Sequence, residues 1–271
     1  TEIKKIQRLL DCANSVILYE RERYVSKHEG ENLMNYAVIF AGGTGTRMNT
    51  KTRPKQFLTL HGKEIIIYTL EHFENHPGIE GISVVCIAEW IDYLKKLLEK
   101  YHIQKVKWIS PGGGTGQESI FNGLNAMRGD IDKDSIVLIH DGVRPLIDEK
   151  LITDNIKMVQ EKGCAVTVVP AIETVMLVDD KGEIVESVDR NKCRVVRAPQ
   201  SFIYQELMNA HDRAREKGII NMIDSATMMS EAGHTLYPVV GRPDNIKITT
   251  PSDFYTFRAI VEAEENSQIF G

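Results

Sequence analysis

Short apolar runs rich in β-branched residues recur along the chain at 36–41, 82–88, 106–109, 135–140, 165–169 and 236–240. Between them lie longer stretches with apolar residues at helical spacing, at about 65–75, 90–101, 117–127, 149–161 and 204–217. A near-continuous apolar run of that length suits a strand buried on both faces, and amphipathic stretches suit helices laid over it. The alternation therefore predicts an α/β fold, a mostly parallel sheet with helices on both faces. Ligands of such sheets sit at the carboxyl ends of the strands, so functional residues belong in the loops that follow strands.

Two segments depart from this pattern. Residues 174–202 read as extended pieces at 175–178 and 183–188, joined by Asp179-Asp180-Lys181-Gly182. That turn chemistry predicts a β-hairpin arm projecting from the body. An antiparallel pair of this kind must cover its apolar face, either against its own domain or against a second subunit. Near the start, Ile3, Ile6, Leu10, Ala13 and Ile17 share one helical face, which predicts a helix over about 3–23 followed by a polar linker at 26–32. Met34 precedes the first strand, so the chain divides into a helical extension, 1–33, and a main domain, 34–271.

The bulk numbers narrow the function classes. The chain has 271 residues, 42% apolar and 26% charged, and a net charge of -5. The acidic balance argues against a nucleic-acid polymer as partner, because neutralising many phosphates takes a basic surface. Cys12, Cys86, Cys164 and Cys193 are far apart and form no C-x-x-C pair, which fits buried cysteines in a reducing compartment. No stretch approaches the roughly 20 apolar residues of a membrane span, and the N-terminus mixes acids and bases unlike a signal peptide. A cytoplasmic location is expected.

The most informative loop follows the first strand. It reads Ala41-Gly42-Gly43-Thr44-Gly45-Thr46-Arg47. Glycines at such a place let backbone N–H groups approach an anion closely. No G-K-[ST] ends the loop, so it is not a Walker A motif, and Met48 stands where a dinucleotide fingerprint needs its third glycine. Arg47 and Lys55, the latter placed by Pro54 to point back towards the loop, are two cations suited to a triphosphate whose charge grows at reaction. The competing reading is a solvated basic surface loop.

The segment 41–58, A-G-G-T-G-T-R-M-x6-K-Q-F-L with Pro54 closing the x6 stretch, resembles the signature of the CTP:polyol-phosphate cytidylyltransferases. Further matches follow in order. They are Gly112-Gly113 with Ser119, His140-Asp141-Gly142-Val143-Arg144-Pro145, Glu173-Thr174, Val188-Asp189-Arg190, Pro199-Gln200-Ser201-Phe202 and Asp244-Asn245-Ile246-Lys247-Ile248-Thr249. The resemblance spans about 36–264. It implies a Rossmann-like fold and transfer of CMP from CTP to a sugar-alcohol phosphate, with release of pyrophosphate.

By resemblance, Arg47, Lys55 and Lys247 hold the phosphates at the reacting centre, and the loop 41–46 cradles CTP. Gly112, Gly113 and Ser119 match positions that read cytosine, although Gly114 and Gly116 replace polar or charged residues common there. Asp141 matches the aspartate near the ribose and the polyol phosphate, and Arg144 an arginine serving that second substrate. From the residues alone, His140-Asp141 also admits a metal or catalytic dyad, or a capped strand end. Thr174 and Arg190 bracket the arm, which in the family swaps across a homodimer so that the matching arginine reaches the partner's substrate. Mg²⁺ is implied, held mainly by the phosphates of CTP rather than by a protein cage.

One departure bears on the alcohol. The family commonly has T-P-Q where this chain has Ala198-Pro199-Gln200, losing a hydroxyl that contacts the polyol. Asp224-Ser225-Ala226-Thr227 resembles the methylerythritol branch, which makes isoprenoid precursors. Gly142-Val143-Arg144-Pro145 and Thr249-Thr250-Pro251 sit closer to the ribitol branch, which supplies teichoic-acid or capsule precursors. The alcohol is left open between 2-C-methyl-D-erythritol 4-phosphate and D-ribitol 5-phosphate. Two rival readings, a nucleotidyltransferase using another nucleoside triphosphate and a catalytically silent nucleotide-binding module, are weighed against by the lack of a longer sugar-recognition region and by the retained cations.

Overall fold

The computed structural model describes residues 33–43 and 53–270. The expected N-terminal helix and linker, Cys12, and Thr44, Gly45, Thr46 and Arg47 of the glycine loop lie outside the described residues. Among the described residues the strands are β1 (Asn35–Ala41), β2 (Thr59–Leu60), β3 (Lys63–Glu64), β4 (Gly81–Cys86), β5 (Val106–Pro111), β6 (Ile136–Asp141), β7 (Cys164–Pro170), β8 (Val175–Val178), β9 (Ile184–Val188), β10 (Arg194–Ile203) and β11 (Pro238–Val240). The helices are α1 (Ile65–Asn75), α2 (Ile91–Lys100), α3 (Gly116–Ala126), α4 (Glu149–Lys162), α5 (Tyr204–Glu216), α6 (Ser225–Glu231) and α7 (Pro251–Phe270).

Seven strands form the main sheet in the order β11-β7-β10-β6-β1-β4-β5. β1 runs parallel to both β4 and β6, and β4 is parallel to β5. Every residue of β4 and β6 is buried, as the continuous apolar runs demand of strands covered on two sides. Alternate side chains enter opposite cores. Ala37, Ile39 and Ala41 pack with Leu70 of α1, Leu94 of α2 and Ile152 of α4, whereas Tyr36 and Val38 pack with Leu124 of α3, Leu207 of α5 and Met229 of α6. A Rossmann-like α/β fold with helices on both faces follows.

One strand reverses the expected direction. β10 pairs antiparallel with both β6 and β7. Its second half, Ala198–Ile203, is wholly buried in the sheet, so the segment 174–202 expected as one arm is an arm only in its first part. The register shifts between Val196 and Gln200, where Pro199 brings no N–H to the ladder. The projecting hairpin itself is β8 and β9, joined by a turn in which Gly182 takes φ +82.

Four of these elements went unread in the sequence. β2 and β3 form a two-residue hairpin, too short for any periodicity. α6 is about two turns, its start capped by Asp224, which accepts from Thr227 N at 2.8 Å. α7 begins at Pro251, the favoured first position, with Asp253 accepting from the backbone N–H groups of Thr249 and Thr250 at 2.8 and 2.7 Å. Phe257 of α7 closes a third apolar cluster with Leu60, Ile65, Val143 and Ile248. No helix among the described residues is long and apolar enough to cross a membrane.

Candidate active site

The chain passes from β1 to β4 and β5 on one side, then crosses back over to β6 on the other side of β1. The carboxyl ends of β1 and β6 are therefore the switch point at which an open α/β sheet leaves a crevice. Ala41, Gly42 and Gly43 end β1, and Asp141 ends β6. The loop after β5 reaches the same place. A Cβ on Gly42 would lie 3.0 Å from the Gly112 Cα and 3.1 Å from Ser119 Oγ, and one on Gly113 only 2.4 Å from the Glu118 Cβ. Two bare backbones thus press together, which side chains would prevent.

Ser119 pins that second loop. Its hydroxyl accepts from Gly113 N at 3.0 Å and donates to Thr115 O at 2.9 Å. Gln56, which the sequence did not single out for a role, pins the first. Its Nε2 donates to Ala41 O at 2.6 Å and to Gly43 O at 3.4 Å. Phe57, fully buried and stacked on Trp90 at 4.9 Å, anchors the turn that carries Gln56 and half-buried Lys55 beside the end of β1.

Lys247 arrives from the far end of the chain. Asn245 Nδ2 donates to Ala198 O at 3.0 Å, and Ile248 N donates to Val143 O at 2.9 Å, stitching the 244–249 loop onto β10 and the loop after β6. Lys247 Nζ lies 2.6 Å from Asp141 Oδ1, and Arg144 Nη2 lies 3.1 Å from Asp141 Oδ2. Arg144 Nη1 also donates to Asn245 O at 2.7 Å. Burial works to raise the Asp141 pKa, but the charges of Lys247 and Arg144 outweigh it and lower it to about 2. The carboxylate is thus ionised at every working pH, and it aims two cations at the crevice.

Strand alternation separates His140 from Asp141. Asp141 follows Ile139 towards the α3–α5 face, while His140 Nε2 meets Arg144 O at 3.0 Å and its ring lies 5.2 Å from Phe73. The metal or catalytic dyad is thereby excluded, because the two side chains point to opposite faces. Among the described residues, no group of three His, Cys, Asp or Glu side chains is arranged to hold a metal ion.

A cavity of about 270 Å³ opens beside this cluster. Its walls include Asp141, Arg144 and Lys247, then Ala198, with Arg197 and His211 beyond the residues the sequence reading had marked. Gln117 of α3 closes one side by donating to Ile219 O and accepting from Met222 N, both at 2.8 Å. Gln200 holds another by donating to Asp224 at 3.0 Å and accepting from Ala226 N at 2.8 Å. Thr174 and Arg190 are not brought here. Both are exposed on the arm, where Arg190 Nη1 donates to Ile172 O at 3.0 Å.

Two buried histidines make the fold acid-sensitive. Burial lowers His140 to about 3 and His211 to about 4, against 6.5 for a free imidazole. Below pH 6.5 the unfolded chain takes up protons that the folded chain refuses, so stability falls with acidity by about 1.4 kcal/mol per pH unit for each histidine. Urea unfolding between pH 7.5 and 5 should show this loss, and His211→Leu should make the slope shallower. A flat profile would contradict the burial assigned to both rings.

The family model for IspD, 2-C-methyl-D-erythritol 4-phosphate cytidylyltransferase, matches residues 35–263. The chain belongs to the IspD family of cytidylyltransferases. It is by family a CTP-dependent nucleotidyltransferase. Among its relatives, a ribitol-5-phosphate cytidylyltransferase of Vibrio parahaemolyticus is 51% identical over 238 residues, covering 88% of this chain and 100% of that one. A 2-C-methyl-D-erythritol 4-phosphate cytidylyltransferase of Clostridium novyi is 39% identical over 230 residues, covering 84% and 96%. Among solved structures, the 4-diphosphocytidyl-2C-methyl-D-erythritol synthase of Anaerococcus prevotii superposes with a TM-score of 0.74 at 25% identity, covering 86% and 97%.

Proposed function

We propose that this chain transfers CMP from CTP to D-ribitol 5-phosphate, giving CDP-ribitol and pyrophosphate. The observation that carries the reaction class is Asp141 clamped between Lys247 and Arg144 at the end of β6, beside the glycines that end β1. An oxygen of the acceptor phosphate attacks the α-phosphorus in line. The new O–P bond forms as the bond to the β-phosphate oxygen breaks, and pyrophosphate leaves with the electron pair. The nucleophile is already an anion, so positioning and cations carry the step without a general base. Lys247 and Lys55, with Arg47, offset the charge that grows on the α-phosphoryl oxygens and the leaving group. The backbone of Gly112 and Gly113 reads the base, because the Ser119 hydroxyl is engaged within its own loop.

Mg²⁺ belongs to the proposal as a passenger on CTP. Mg²⁺ sites commonly lean on substrate phosphates, and both oxygens of Asp141 are already engaged by Lys247 and Arg144. Bound with CTP, the ion would neutralise phosphate charge, while Asp141 keeps Lys247 and Arg144 aimed. The ribitol assignment is supported by relatives of that name matching more closely than those named for methylerythritol. The test is pyrophosphate release from CTP with ribitol 5-phosphate and 2-C-methylerythritol 4-phosphate side by side, in a cytoplasm-like buffer. Ribitol 5-phosphate should be preferred. Turnover of neither alcohol by folded protein sinks the assignment.

A homodimer completes the site in this proposal. Ile172, Leu177, Val178, Ile184 and Val185 are exposed on the arm, and a lone two-stranded hairpin is marginal in water. A second copy of the chain covers these apolar side chains and receives Thr174 and Arg190 at its own cavity. The double change Leu177→Glu, Val185→Glu should give a monomer by light scattering and abolish turnover. A fully active monomer overturns the shared-site arrangement.

A further inference from the structure

Three residues that line the cavity carry polar atoms that nothing among the described residues satisfies. Arg197 Nε, Ser225 Oγ and both ring nitrogens of His211 are buried without a hydrogen-bond partner. All three residues line the cavity onto which Asp141 and Lys247 open. A buried donor or acceptor left unmade costs stability, and native interiors contain few. These come from β10, α6 and α5, three separate elements converging on one space. Packing alone would have favoured apolar side chains at such positions, as it does at Met222 and Met228 on the same walls. The set is built for a ligand.

The donor and acceptor pattern identifies that ligand's chemistry. His211 is neutral at working pH, because burial lowers its pKa to about 4. One ring nitrogen therefore donates and the other accepts. The Ser225 hydroxyl does both, and Arg197 only donates. Hydroxyl groups, each a donor and an acceptor, match such a wall; ribitol 5-phosphate offers one more of them than 2-C-methylerythritol 4-phosphate, whose methyl branch makes no hydrogen bond with it. Ala198 presents a methyl group to the same cavity, so its own side chain recognises no hydroxyl.

Resting on the cytidylyltransferase reading, we infer that Arg197, His211 and Ser225 read the hydroxyl chain of the acceptor and select an unbranched polyol phosphate over a methyl-branched one. These three residues take over at the alcohol end what Ala198 has given up. Asp141, Arg144 and Lys247 remain with the phosphates.

Initial rates at saturating CTP, with ribitol 5-phosphate or 2-C-methylerythritol 4-phosphate varied, test this on the full chain. His211→Leu should raise KM for ribitol 5-phosphate about tenfold and shrink the preference for it by a similar factor, with KM for CTP unchanged. Its melting temperature should hold or rise, because the substitution removes two orphaned nitrogens from the core. His211→Gln, which keeps a donor and an acceptor, should recover part of the preference. A lower melting temperature with unaltered KM and preference would make His211 a packing residue and overturn the inference. If His211→Leu does not fold, Arg197→Met and Ser225→Ala decide by the same preference ratio. Wild-type enzyme that turns over neither alcohol defeats the functional reading itself. Wild-type enzyme that prefers the methyl-branched alcohol leaves the cytidylyltransferase class intact and defeats this inference together with the ribitol assignment.

Discussion

Replacing Lys247 with Met lowers kcat about 10²–10³-fold, the loss seen when one preorganised group at a developing charge is removed. Lys247 Nζ is held 2.6 Å from Asp141 Oδ1 by a carboxylate that never titrates in the working range. Its position is therefore set before substrate arrives, and no reorganisation is needed as charge builds. The side chain is partly exposed, at 39%, so the substitution leaves the core untouched and folding intact. Single-turnover rates with CTP bound check this directly, because a cation acting on the leaving charge moves kcat more than KM. A KM effect with unchanged kcat would assign Lys247 to ground-state binding only.

Asp141→Ala should be the most damaging substitution for stability, at about 3–5 kcal/mol. The Asp141 and Arg144 side chains are each 6% exposed, so removing the carboxylate strands a guanidinium in a buried place. For a domain of this size that corresponds to a fall in melting temperature on the order of 10 °C. Activity should vanish as well, because Lys247 loses the partner that aims it. Asp141→Asn separates the two effects. It keeps the shape and one acceptor, so stability recovers in part while turnover does not. Full activity in Asp141→Asn would show that the charge at this position is dispensable.

Much of the architecture was legible along the chain. The helix expected over 65–75 is α1, residue for residue, and all six strand runs differ from observation by no more than two residues at either end. These elements have strong periodicity and clear termini. β10 was not legible as a sheet strand. Arg194, Val195 and Val196 stand in the exposed half and Ala198–Ile203 in the buried half, so the segment carries two environments and no single period. Pro199 further argues against a central strand, and only the bulge at that point lets one form. The cations divide in the same way. Lys55 and Lys247 sit in ordered motifs that sequence comparison exposes. Arg197 and His211 carry no motif, and their importance lies wholly in what fails to touch them.

Sequence by itself determined the class of chemistry. A glycine loop after an apolar strand, two cations beside it and six ordered motifs downstream are local features, and local features survive in one dimension. It also determined that a hairpin interrupts the α/β pattern, because turn chemistry is written in four adjacent residues. Tertiary structure decided which neighbours act on one another. Asp141 and His140 are adjacent in the chain, yet the pleat sends them to opposite cores. Asp141 and Lys247 are more than a hundred positions apart, yet the strand order brings them into contact. The period of two along β6 is what separates the first pair, and the crossover at β1 and β6 is what opens the crevice where the second pair meets.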